Sequence, residues 1–249
     1  AHVARPAMQI VRQEIGSAFP PFTLVTLRKL GGKAAAQTNM LLIAVLMALG
    51  GGIAVLTGDT AQWIAVAIGV YSVTTWSQIL KHGDHPLYKL TFGCPTFMLM
   101  MSGGAMLACF VGTIATWAFP YALRVLEEDS STVGIALGAA QFGSAVTSVI
   151  LGGIISDWWK KRDPRAPLWI GMIALLVPVP LLFLLLNATT LSGFIAAYSA
   201  ITLFSMGWAG PFAAEAMGLV MVRMRGAASA IFSLVMILVA AGIGPYWVG

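Results

Sequence analysis

Seven runs of about twenty mostly apolar residues constrain this chain more than any other feature. They fall at roughly 39–57, 62–80, 93–119, 131–157, 167–187, 192–217 and 226–248. A helix needs about 20 such residues to cross the roughly 30 Å hydrocarbon core of a bilayer. Inside that core every backbone N–H and C=O must find a partner within the protein, which leaves helices or closed barrels. Composition excludes the alternative of a water-soluble domain. Only 9% of the residues are charged and 59% are hydrophobic, with a mean hydropathy of +0.88. A soluble domain carries about 25% charged residues. The expected fold class is therefore all-α, a polytopic helical membrane bundle with about seven transmembrane helices.

The charges set a direction. If residues 1–38 are cytoplasmic, alternation puts 81–92, 158–166 and 218–225 on the same side. All fourteen basic residues except Arg124 then lie there, as the positive-inside rule requires. The opposite loops hold Asp59 and the run Glu127-Glu128-Asp129. The N-terminus is expected in the cytoplasm, in a cell's inner (plasma) membrane. Residues 1–38, with Arg5, Arg12, Arg28, Lys29, Lys33, Pro6, Pro20 and Pro21, read as a basic loop on the membrane surface. Ala1 in place of Met, and an apolar run still open at Gly249, suggest a chain cut at both ends.

Small residues recur along the spans, as at Gly134/Gly138 and Gly152-Gly153, and allow close backbone approach in lipid. Pro95, Pro120, Pro178, Pro180, Pro211 and Pro245 interrupt or flank several spans; breaks of this kind occur near transporter sites, though a simple kink is the plainer reading. Cys94 and Cys109 stand fifteen residues apart in one span. That is roughly 22 Å of helix rise, too far for a disulfide, so both read as small apolar core residues. His82, Asp84 and His85 cluster in a loop without a convincing ligand set, and no metal or other cofactor is assigned.

Three stretches carry a family resemblance. Gly152-Gly153-Ile154-Ile155-Ser156-Asp157-Trp158-Trp159-Lys160-Lys161-Arg162 resembles the G-x-x-x-D-[RK]-x-G-[RK]-[RK] loop of the major facilitator superfamily. Gly153 and Asp157 match, Trp158 replaces the usual cation and the second glycine is missing. Phe110-Val111-Gly112, Trp117 and Pro120-Tyr121 resemble helix seven of the spinster-like branch. Arg223-Met224-Arg225 followed by small residues and Gly244-Pro245-Tyr246 resemble its helix eleven. The resemblance implies an incomplete major facilitator fold. Residues 93–249 would be helices seven to eleven. Residues 39–92 would be two extra helices and their cytoplasmic connection, inserted between the halves. The rival assignment, helices five and six, leaves 1–38 as an unusually long loop. The missing N-terminal half of the same transporter is the implied protein partner, with the lipid bilayer around both.

The same resemblance implies a secondary active transporter that works by alternating access on small organic, amphipathic or lipid-like solutes, coupled to H+ or Na+. Gly153, Asp157, Lys160, Lys161, Arg162 and Arg225 would form a conformational latch. Ionisable groups in a span are costly and are functional suspects by default, which singles out Glu215; the plainer alternative is pairing with Arg223 or Arg225. Arg124, set by sequence one turn from Glu127 and Glu128, is expected to pair there as part of an outer gate or to meet an anionic headgroup. Gln141, Trp117, Tyr121 and Trp208 are candidate cavity-lining groups, with interfacial anchoring the alternative for the aromatics.

Other function classes find little support. The chain contains no HExxH, GxSxG or GxxxxGK[ST], so neither an enzyme nor a nucleotide-driven pump is expected. The last lysine, Lys161, lies in a loop, which argues against a retinal Schiff base. Nothing points to nucleic acid. A non-transporting seven-span scaffold or receptor is the remaining alternative.

Overall fold

The computed structural model describes residues 22–244 and 246. Among the described residues every regular element is helical. In chain order these are α1 (Phe22–Thr57), α2 (Thr60–Gly83), α3 (His85–Leu90), α4 (Pro95–Leu126), α5 (Ser130–Lys160), α6 (Ala166–Leu176), α7 (Pro178–Leu186), α8 (Leu191–Ser205), α9 (Ala209–Gly218), a 3₁₀ turn (Val222–Met224) and α10 (Arg225–Gly242). By length and composition they give seven candidate membrane spans, and the protein is an integral membrane protein. Large apolar side chains such as Met47, Val55 and Leu56 stand exposed, an arrangement suited to lipid and costly in water.

The boundaries differ from the sequence reading in informative ways. Residues 22–38, read as a basic loop, are helical and run on into the first span. Gly32, with φ at +75°, bends this helix, a conformation that only glycine adopts without strain. Residues 1–21, with Arg5 and Arg12, lie outside the described residues. The third span continues past Pro120 to Leu126, because neighbours in a bundle accommodate the amide that proline lacks. The fifth span is two helices joined at Val177, just before Pro178. The sixth breaks between Ser205 and Ala209.

The chain divides between Met98 and Leu99 into two compact units. In the first, α1 and α2 pack as a hairpin. Its centre is polar. Asn39, fully buried, donates to Thr75 Oγ1 and to Gln78 Oε1, both at 2.9 Å, and accepts from the Tyr71 hydroxyl at 3.0 Å. A side-chain amide in an apolar span needs such partners, because no water replaces them. Cys94, in this unit, and Cys109, in the other, are free and half-buried.

In the second unit α5 and α8 form the principal pair, with α7 against α8 and α9 against α5 and α6. Phe194, Tyr198 and Ile201 of α8 meet Val133 and Leu137 of α5, Leu185 of α7, and Ala118 and Ala122 of α4. The Asp129 carboxylate accepts from the amides of Ser131 and Thr132 and so caps α5. At the crossing of α5 with the end of α8 the backbones touch. A Cβ on Gly152 would overlap the backbone of Gly207, while Ser148 Oγ donates to the carbonyl of Leu203 at 2.5 Å.

This crossing predicts an asymmetry between two glycines of α5. Gly152→Ala is expected to destabilise the protein by roughly 1–3 kcal/mol, as overpacking does. Gly138→Ala, where a new Cβ meets nothing, should leave stability unchanged or slightly raised. Thermal unfolding of the two variants in one detergent checks this; equal melting temperatures would refute the close crossing.

Candidate functional site

The second unit gathers its polar side chains in two places. One is midway along the spans. Tyr198, Thr202 and Ser205 follow one another at i, i+4 and i+7, so they share one face of α8. Gln141 faces them from α5. The Tyr198 hydroxyl donates to Gln141 Oε1 at 2.6 Å, and Thr202 Oγ1 donates to the same oxygen at 3.4 Å. Val111, Ile114 and Ala115 of α4 and Ile201 of α8 complete an otherwise apolar lining around a cavity of about 10 Å³, roughly the room for one water molecule.

Depth follows from helix rise. Gln141 lies eleven residues into α5, roughly 16 Å from its start and so near the middle of a roughly 30 Å core. The two bonds occupy Gln141 Oε1, and its amide NH2 has no partner among the described residues. The buried Ser205 hydroxyl is likewise unpartnered. A polar group buried without a bond costs about 1–3 kcal/mol, so each such group calls for an explanation. One turn further on, Trp208 is buried edge-on to Phe212, centroids 5.5 Å apart, with Nε1 also unpartnered.

The other place is the far end of α5, roughly 28 Å along the helix from Gln141. There Lys160 forms an ion pair with Glu215 of α9. Sequence reading set these residues in separate groups, one in the latch and one in the solute site; the structure brings them together. Glu215 pairs with neither Arg223 nor Arg225, because the α5–α9 packing brings Lys160 to it. Asp157 and Arg225 are exposed and make no ion pair among the described residues. Lys161 is also exposed, and Gly153 has open space where a Cβ would stand. The Arg162 guanidinium lies over the Trp158 ring, 4.7 Å from its centroid. The tryptophan that departs from the motif thus supports a cation in place of carrying charge.

The remaining candidates take other roles. Tyr121 donates to the carbonyl of Leu186 at 2.8 Å and stacks on Phe194, 5.9 Å between centroids. Trp117 is half-buried on α4 and, like Tyr121, does not line the mid-span cavity. Arg124 is exposed and pairs with neither Glu127 nor Glu128. The reason is the backbone: α4 ends at Leu126 and Glu127 turns to φ +52°, so the helical spacing assumed for the pair does not exist. Sequence reading named Gln141 but missed Tyr198, Thr202 and Ser205. Their i, i+4, i+7 spacing in an apolar run was the available signal.

Comparison with known proteins agrees with this membrane architecture. Over 158 residues the chain is 28% identical to an MFS-type (major facilitator superfamily) efflux pump of Mycolicibacterium smegmatis (strain ATCC 700084 / mc(2)155). This chain is similar to a membrane transporter, not to an enzyme. The match covers 62% of the chain and 36% of the pump, so the chain spans little more than a third of that relative's length. No family model and no solved structure matches the chain.

The cross-helix ion pair makes a testable prediction. Lys160→Glu and Glu215→Lys should each lower the melting temperature in detergent, and the double exchange should recover most of the loss. The coupling expected for so exposed a pair is roughly 0.2–1 kcal/mol. Strictly additive losses would mean that the two side chains do not interact.

Proposed function

We propose that this chain forms part of a secondary active transporter of the major facilitator superfamily, of its spinster-like branch, that moves small organic, amphipathic or lipid-like solutes. One observation carries this reading above the rest: the buried, unpartnered Ser205 hydroxyl beside Gln141, Tyr198 and Thr202, near mid-span among apolar side chains. Transporters bind their solutes near the bilayer midplane, where polar groups facing the bundle interior hold the solute against the low dielectric. The likeness to an efflux pump supports the same class and favours outward movement.

Mechanistically, the mid-span cavity, closed here to the room of about one water, would widen in another access state, where α8 and Gln141 would receive the polar part of the solute and the apolar walls from α4 its hydrocarbon part. Lys160 and Glu215 would act as the latch, holding the ends of α5 and α9 together in one of the two access states. A pair this exposed is weak enough to open and close repeatedly. A gradient of H+ or Na+ would drive the cycle through a further half of the transporter. The basic segments would face the cytoplasm, with residues 1–38 as a basic N-terminal stretch whose later part opens α1, 39–92 as an inserted helical pair and connection, and 93–249 as helices seven to eleven.

Transport assays separate a solute site from mere helix packing. Expressed from its native reading frame in a bacterial host stripped of its own efflux pumps, the protein should lower accumulation of amphipathic fluorescent dyes. Gln141→Leu should raise the apparent KM for such a dye about tenfold, the equivalent of roughly 1.4 kcal/mol, at unchanged protein level and melting temperature. A variant that lost stability but kept its KM would assign Gln141 to packing. No effect of the wild-type protein on any dye of a broad panel would sink the transporter reading.

A further inference from the structure

The first unit holds a second cleft, of about 250 Å³, at the end of the hairpin where α2 runs into α3. Its polar lining is Thr38 of α1, Ser77, Gln78, Lys81 and His82 of α2, and Tyr88 of α3. Each of these side chains carries a hydrogen-bond donor, and the lining contains no carboxylate. Asp84, the nearest acid in sequence, accepts from the amide of Leu87 and so caps α3. Lys81 has no acidic partner among the described residues.

Two contacts preset the donors. Gln78 Oε1 accepts from the buried Asn39 amide at 2.9 Å, which leaves the Gln78 NH2 group for a ligand. The His82 ring lies against Gly31, where any Cβ on α1 would collide with it. Arg28, Lys29 and Lys33 of α1 belong to the same end of the hairpin and add positive potential. The C-terminal dipole of α2 opposes an anion, but with roughly half a charge against several whole ones.

We propose that this cleft binds the phosphate of an anionic phospholipid headgroup, with Lys81 as the charge partner and Gln78, Ser77 and His82 as donors. Its volume falls just below the roughly 300 Å³ at which small-molecule pockets begin; it admits a headgroup and leaves acyl chains outside, against exposed apolar residues such as Leu41 and Ile68. Basic pockets between helices at the cytoplasmic surface recognise anionic headgroups in this way. The site shares no residue with the mid-span nest and does not depend on the transport reading.

Native mass spectrometry of the full chain released from nanodiscs tests the idea. Nanodiscs of phosphatidylcholine doped with phosphatidylglycerol should yield protein that retains phosphatidylglycerol. Lys81→Gln combined with Gln78→Leu should cut that retention about tenfold, the equivalent of roughly 1.4 kcal/mol, with helix content by circular dichroism unchanged. Lys89→Gln, outside the cleft lining, should retain as much as wild type. Stabilisation of wild type by inorganic phosphate in detergent, lost in the double variant, without selective lipid retention, would support the anion site and identify a soluble source. Equal retention in wild type and double variant, or an equal loss in Lys89→Gln, would overturn the proposal.

Discussion

An amide or hydroxyl inside hydrocarbon has no water to bond, and this one constraint organises the molecule. The backbone meets it by staying helical for long stretches. Side chains meet it by finding one another across helices. Asn39 joins α1 to α2 through three partners, and Tyr198 joins α8 to α5 through Gln141. Ser148 reaches a main-chain carbonyl across the Gly152–Gly207 crossing. Hydrocarbon supplies no hydrophobic force between helices, so such bonds and close glycine contacts hold the bundle.

Against that background the polar groups without partners stand out. The hairpin centre is fully satisfied and reads as a structural clasp. The mid-span nest is not, since the buried Ser205 Oγ has no partner. The same kind of residue is thus satisfied in one unit and left with an unpartnered hydroxyl in the other. The difference lies in the count of available bonds, not in residue type. At the ends of the helices solvent relaxes the rule, and charged side chains such as Lys160 and Glu215 pair while partly exposed, an arrangement of modest energy.

Proline and glycine show how far local rules carry. Pro178 marks the break in the fifth span as sequence suggests, yet Pro120 sits inside a helix that continues past it. Proline removes one donor wherever it stands; whether the helix ends depends on neighbours that satisfy the freed carbonyl. Gly32 bends α1 through a positive φ, whereas Gly152 lets another backbone approach. The letter is the same and the cause is different.

Hydropathy alone determined the membrane class, the seven spans and the all-helical character of the described residues, because the bilayer imposes a single length and a single polarity on any segment that crosses it. It could also single out Gln141 and Glu215, since a polar residue in an apolar run is conspicuous. It could not say that Glu215 meets Lys160 across fifty-five positions, that Arg124 meets neither Glu127 nor Glu128, or that Asn39 finds Tyr71, Thr75 and Gln78. Those pairings depend on which helix faces are turned together. Packing between elements settles that, and no local pattern in the chain encodes it.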